Sequence, residues 1–200
     1  MNIAVFVSGN GTNLQAIIDA VKNGQIKASI ALIVCDNPKA YALTRSEEAG
    51  LENYVFNPAD HKNKESCEAE IIKKLLGKNV KLIILAGYMR VLSTKFVEKF
   101  KNKIINIHPA LLPSFKGVHG IKDAFLYGVK KTGVTVHFVD DRVDNGPIIL
   151  QDTIEIEKND TEDSLEKKIH GLEHKLYPKA ISLFVDGKLE VEGRRVKIKD

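Results

Sequence analysis

Five short apolar runs, residues 3–7, 30–35, 54–56, 82–86 and 104–107, alternate with stretches of helical spacing at 13–21, 40–49, 65–76 and 93–100. No other feature of the chain narrows its possible folds as much. In the helical stretches apolar residues recur every three or four positions, as Leu14, Ile17, Ile18 and Val21 do, or Ile71, Ile72, Leu75 and Leu76. Gly50 and Gly77 stand where two of these helices would stop. The run at 82–86 is apolar throughout, as a strand covered on both faces should be. Strands alternating with helices in this way predict a parallel sheet between helical layers.

The rhythm changes after residue 133. Runs at 134–139 and 148–156 are separated only by 140–147, too short for a crossover helix, so this pair is expected to be antiparallel. A long helix is predicted over 161–184, opened by a capping box from Thr161 to Ser164 that has Ser where Glu or Gln is preferred. The tail 189–199 reads as a hairpin turning near Gly193. Between 109 and 120 the chain is irregular, with Pro113, Gly117 and Gly120. The expectation is one α/β domain over residues 1–200: a Rossmann-like, mostly parallel central sheet flanked by helices, with an antiparallel strand pair in the C-terminal half.

Composition sets the function classes. Hydrophobic residues are 44% and charged residues 28%, which excludes disordered and collagenous chains. A net charge of +4 suits an anionic small molecule better than a nucleic-acid polymer. The basic tail from Arg194 to Lys199 alternates with Val196 and Ile198, the pattern of a solvated edge strand. No apolar run approaches the roughly 20 residues that cross a bilayer. The N-terminal segment reads as a first strand and not as a signal peptide. With two cysteines, Cys35 and Cys67, and no CxxC, reduced thiols and a cytoplasmic location are expected, with no membrane or nucleic-acid partner.

In open α/β sheets ligands bind beyond the carboxyl ends of strands, which draws attention to four segments. The first is Ser8-Gly9-Asn10-Gly11-Thr12-Asn13-Leu14, where two glycines allow close backbone approach and a helix N-terminus offers N–H groups to an anion. Leu14 occupies the third small position of a dinucleotide fingerprint, which disfavours a nicotinamide cofactor, and no P-loop lysine follows. One phosphate monoester fits; so does a plain capped strand-to-helix turn. The second segment is Ala86-Gly87-Tyr88-Met89-Arg90-Val91-Leu92, either a groove for a flat ligand with an anionic tail or a helix entry with core residues. The third is Asn106-Ile107-His108-Pro109, where strand alternation puts the amide and the imidazole on one face before the irregular stretch. The fourth, 140–147, carries Asp140, Asp141 and Asp144; at least one is expected to be a turn residue. His61, His119, His137, His170 and His174 form no recognisable ligand set, and no metal is expected.

Together these segments, with Phe115-Lys116-Gly117-Val118-His119-Gly120 and Val136-His137-Phe138-Val139 through Asp144-Asn145-Gly146-Pro147-Ile148, resemble the phosphoribosylglycinamide (GAR) formyltransferases along the whole chain. The Asn-x-His-Pro-x-x-Leu-Pro block with a downstream Asp-x-Gly-Pro is shared by formyltetrahydrofolate-using enzymes generally. The related methionyl-tRNA formyltransferases and formyltetrahydrofolate deformylases carry additional domains for which this chain has no room. The resemblance implies transfer of the formyl group of 10-formyltetrahydrofolate to the amine of glycinamide ribonucleotide in de novo purine biosynthesis. It implies Asn106, His108 and Asp144 as catalytic residues. Gly11, Thr12 and Asn13 would hold the ribonucleotide phosphate and Glu173 its ribose. Met89, Arg90, Val91 and Leu92, with Asn106, Asp140, Asp141, Asp144 and Lys64, would hold the folate. Lys64 departs from the arginine frequent there, and His170 falls at a variable position with no assigned role.

Chemically, amine attack creates an oxyanion and an ammonium, and a tertiary amine must later leave. Asn106 is expected to donate to the oxyanion, and His108 to move the proton. Asp144 is expected to raise the His108 pKa by charge proximity and to fix a bridging water. Neither a metal nor a covalent enzyme intermediate is required. The expected partners are the two small substrates, with the chain a monomer or weak homodimer. A non-catalytic folate or nucleotide sensor on the same fold is the alternative.

Overall fold

The structure is a computed structural model that describes residues 1–199. Among these residues nine strands form one sheet: β1 (Asn2–Val7), β2 (Ser29–Cys35), β3 (Asn53–Val55), β4 (Val80–Leu85), β5 (Ile104–His108), β6 (Lys131–Phe138), β7 (Ile148–Glu155), β8 (Leu189–Glu192) and β9 (Arg195–Ile198). Their spatial order is β3-β2-β1-β4-β5-β6-β7-β9-β8. The helices are α1 (Thr12–Lys22), α2 (Tyr41–Glu48), α3 (Lys64–Gly77), α4 (Thr94–Lys99), α5 (Gly120–Tyr127) and α6 (Glu162–Val185).

Period-two alternation divides the core into two layers. Ile3, Val5 and Val7 of β1 join Leu14, Ile17, Ile169, Tyr177 and Ile181 on one face of the sheet. Ala4 and Phe6 join Ile71, Leu75 and Phe96 on the other. Residues 3–7 are all fully buried, which is why the first run is apolar without alternation. Each large side chain so buried contributes roughly 1.5–3 kcal/mol of transfer free energy.

β1 and β4 are parallel neighbours, yet β1 is followed in sequence by β2 on its other side. That reversal of strand order opens a crevice beyond the carboxyl ends of β1 and β4. The turn after β1 meets the loop after β4 there, and the Met89 N–H donates to Ser8 Oγ at 2.9 Å.

The expected mostly parallel sheet with an antiparallel C-terminal pair is present, and its antiparallel part is larger than expected. β6 is antiparallel to both β5 and β7, and β8 pairs antiparallel with β9. The tail forms the expected hairpin at the sheet edge. Helix α3 runs through Gly77, and the left-handed residue beyond it is Asn79, at φ 51°. Asn tolerates that conformation. Helix α5 was not expected: two of its apolar side chains, Leu126 and Tyr127, face solvent, which blurs the helical spacing. The box that opens α6 is complete despite its serine. Thr161 Oγ1 accepts from the Ser164 N–H at 3.2 Å, and Ser164 Oγ accepts from the Thr161 N–H at 2.9 Å. One α6 residue fixes the helix to the sheet centre: the buried Tyr177 hydroxyl lies 2.8 Å from Leu85 O and 3.0 Å from Ile105 O.

Candidate active site

Strand β5 puts Asn106 and His108 on one face, while Ile105 and Ile107 pack into the core on the other. The β5–β6 register places His137 directly opposite Asn106. Because β6 runs antiparallel, the 139–147 connection leaves beside the start of β5 and folds back to deliver Asp144, a non-glycine residue held at φ 47°. Four polar groups converge. His108 Nδ1 is 3.4 Å from Asp144 Oδ2, and Asn106 Nδ2 is 3.5 Å from Asp144 Oδ1. His137 Nε2 is 3.2 Å from Asn106 Nδ2 and 3.7 Å from Asp144 Oδ1.

The hydrogen-bond partners fix the tautomers. A carbonyl can only accept, and His108 Nε2 lies 2.7 Å from Phe115 O, so that nitrogen carries the proton. In the neutral ring Nδ1 is then bare and faces Asp144. His137 Nδ1 donates to Phe138 O at 2.8 Å, which leaves its Nε2 to accept from the Asn106 amide.

Burial drives the His108 pKa below the usual imidazole value, against the upward pull of Asp144 and the Phe115 carbonyl. The Asp144 charge pulls this pKa upward, as expected, but desolvation outweighs it. For Asp144 burial also disfavours charge, yet His137, the Gly117 N–H at 2.8 Å and His108 hold the carboxyl below its ordinary range. The centre at neutral pH is therefore a carboxylate beside a neutral imidazole.

The irregular stretch 109–120 supports this centre. Phe115 and Gly117 both have positive φ, 51° and 92°, which aims one carbonyl at His108 and one N–H at Asp144. The Leu112–Pro113 peptide is cis. Gly120 lies against the imidazole: a Cβ there would stand 3.2 Å from His108 Nε2 and 3.1 Å from Phe115 O. Gly120→Ala is expected to displace the ring by a few tenths of an ångström and lower kcat by about tenfold, since misplacement of a reacting group is costly. Steady-state kinetics alongside thermal denaturation checks this, and unchanged kcat would separate Gly120 from the positioning of His108.

The centre forms the floor of a cleft of about 230 Å³. One wall is the 87–92 loop and the other the 140–144 loop. Met89, Val91 and Val143 expose more than half their surface on this rim. Arg90 and Leu92 line the same cleft, as do Asp140 and Asp141. Asp140 is the expected turn residue, accepting from the Arg142 N–H at 3.1 Å and from Asn145 Nδ2 at 2.7 Å. The buried Glu68 holds the far end of the first wall, its carboxylate accepting from the Ser93 N–H at 2.8 Å and from the Ser93 hydroxyl. Lys64 is not among the lining residues; it is the first residue of α3.

The turn after β1 remains open to an anion. Gly11 is the cap of α1 at φ 77°, and no side chain caps the helix. The backbone of α2 packs so closely that a Cβ on Gly11 would fall 2.7 Å from Ala42 Cβ and 2.9 Å from Ala42 Cα. Arg45 steadies the turn from outside, donating to Asn10 O and Asn10 Oδ1 at 3.0 Å each. Asn13 Nδ2 donates to Glu173 Oε2 at 3.0 Å, joining the turn to α6 one helical turn before Tyr177. Burial raises the Glu173 pKa, and His170 Nε2 stands 4.0 Å from its Oε2.

The structure thus brings together Asn106, His108 and Asp144, and separately Gly11, Thr12, Asn13 and Glu173. Sequence reasoning missed His137, Phe115 and Gly117. His137 stands in one of the resembling blocks, but its place beside Asn106 depends on a register that no local pattern encodes. Among the described residues no group of three or more His, Cys, Asp or Glu could hold a metal ion.

Residues 1–181 match the formyl transferase family. The phosphoribosylglycinamide formyltransferase of Bacillus subtilis (strain 168) is 47% identical over 178 residues, covering 89% of this chain and 91% of that protein. That of Escherichia coli (strain K12) is 38% identical over 191 residues, covering 96% and 90%. The crystal structure of glycinamide ribonucleotide transformylase 1 from Symbiobacterium toebii superposes with a TM-score of 0.97 at 42% identity, covering 100% of this chain and 94% of that one. With the Asn106–His108–Asp144 centre set in a sheet of the same topology, the chain belongs to the formyl transferase family.

Proposed function

We propose that this chain transfers the formyl group of 10-formyltetrahydrofolate directly to the primary amine of glycinamide ribonucleotide in de novo purine biosynthesis. The observation that carries the reading is that Asn106 and His108 each stand within 3.5 Å of Asp144 at the floor of the cleft. The names of its relatives support transfer of a formyl group to the same ribonucleotide.

The amine nitrogen bonds to the formyl carbon and the carbonyl oxygen becomes an oxyanion. Asn106 Nδ2 carries two hydrogens, and its 3.5 Å contact with Asp144 sits at the limit of hydrogen bonding, so one N–H is free to turn to the oxyanion. Such a donor is worth roughly 3–4 kcal/mol in acyl transfer. His108, neutral at working pH, takes the ammonium proton on Nδ1. The imidazolium so formed lies against the Asp144 carboxylate, which stabilises it. The same proton returns to the folate nitrogen as its bond to the formyl carbon breaks, releasing tetrahydrofolate and the formylated ribonucleotide.

The N–H groups of Gly11, Thr12 and Asn13 hold the phosphate, and Glu173 the ribose. The folate lies between Met89, Arg90, Val91 and Leu92 on one side and Asp140, Asp141 and Asp144 on the other, with Lys64 reaching only its far end. The continuous sheet supports a single domain, and the free, buried Cys35 and Cys67 suit a reducing cytoplasm. Oligomerisation beyond a weak homodimer is not needed, since this chain supplies every group named.

Formyl transfer measured with both substrates tests the reading. Release of tetrahydrofolate together with formylated ribonucleotide supports it; binding of both substrates without turnover would replace it with a sensor. Gly11→Ala is expected to raise the KM for the ribonucleotide by about tenfold, the equivalent of one lost hydrogen bond, and to leave the folate KM unchanged. A parallel rise in both KM values would show that the turn does not bind phosphate.

A further inference from the structure

The C-terminal hairpin lies beyond the residues matched to the family, which end at 181. It pairs with the rest of the sheet at one register position, Ile148 opposite Arg195. Beside that position Arg194 Nη2 donates to Asn145 O at 2.7 Å. Asn145 follows Asp144, and all of its polar side-chain atoms are also engaged. Its Nδ2 donates to Asp140 Oδ2 at 2.7 Å, and its Oδ1 accepts from Lys116 Nζ at 3.3 Å. Asn145 therefore joins three segments: its own loop, the 115–117 stretch that supports His108, and the hairpin.

The geometry points to Arg194 as a positioning residue for the reaction: by holding the Asn145 carbonyl it sets the backbone that carries Asp144, and through Asp144 the orientation of His108. This role rests on the formyl-transfer reading above. The physical need for it is visible in the loop. Asp144 occupies a left-handed conformation, uncommon for residues other than glycine although Asp adopts it more readily than most. Residues 141–143 are exposed and supply little packing of their own. A guanidinium donating to a backbone carbonyl is one of the stronger restraints an exposed segment can have. It reaches the chain one residue from the carboxylate.

The test is a double-mutant cycle in the full-length protein. Arg194→Ala is expected to lower kcat by about three- to tenfold, with the ribonucleotide KM unchanged and the melting temperature within about 2 °C of wild type, as suits an exposed side chain. Arg194→Lys, which keeps one donor, is expected to recover part of the loss. In an Asp144→Asn background, Arg194→Ala is expected to cost less than twofold, because the two changes act on one unit. An unchanged kcat in Arg194→Ala, or a loss that simply adds to that of Asp144→Asn, overturns the inference. Absence of turnover in the wild-type protein would instead overturn the proposed reaction, so the two failures are distinguishable.

Discussion

Replacing His108 with alanine is expected to lower kcat by two to four orders of magnitude, the largest effect of any single side chain here. The expectation rests on where the ring is held. Nε2 is tied to the Phe115 carbonyl at 2.7 Å, and Nδ1 is aimed at the Asp144 carboxylate at 3.4 Å. No other group at the cleft floor can take up a proton and stabilise it in this way. Asn106 has no basic site, and His137 presents its bare nitrogen to the Asn106 amide. The variant leaves the Phe115 carbonyl without its donor and a small cavity beside Gly120, at a cost of about 1–3 kcal/mol. The fold, held by core layers on both faces of the sheet, should persist. Single-turnover kinetics together with near-ultraviolet circular dichroism checks both halves of the claim. Native dichroism with near-normal turnover would remove His108 from the chemistry.

Asp144→Asn is expected to lower kcat at least tenfold and to move its pH dependence in a defined direction. Asparagine tolerates the left-handed backbone at this position and can still accept from Gly117, so the change removes charge with little change of shape. In the wild-type protein burial already lowers the His108 pKa, so the acid limb of kcat/KM should fall below the ordinary imidazole value of about 6.5. Asp144 is the chief upward pull on that pKa. Without its charge desolvation is opposed less, and the limb moves to still lower pH. A limb that moved up, or stayed fixed while kcat fell, would show that Asp144 does not act on His108 electrostatically.

The same shifts bear on stability. A histidine with a depressed folded pKa contributes its full stability above the unfolded value near 6.5 and loses it as pH falls from there toward the folded value. Asp144, also depressed, contributes above its unfolded value near 3.8 and loses that as pH falls through the folded one. Mild acid should therefore weaken the His108 environment before that of Asp144.

Much of the molecule was legible in the sequence because the information was local. The apolar runs, the helical spacings and the hairpin pattern of the tail located all nine strands and every α-helix except α5, within a few residues at each end. Strand alternation alone put Asn106 and His108 on one face, and two glycines before a helix marked the open turn at Gly11. What remained depended on contacts between distant segments. The β5–β6 register set His137 against Asn106 over a separation of 31 residues. Phe115, Gly117 and Gly120 became supports of the imidazole only once the 109–120 stretch was folded beneath it. The direction of the His108 pKa shift was decided by burial, which residue spacing does not report, and the tie from Arg194 to Asn145 crosses 49 residues. Periodicity and turn chemistry are properties of neighbouring residues and can be read from a string of letters. Register, desolvation and long-range hydrogen bonds arise only when the packed chain excludes water and fixes which segments touch.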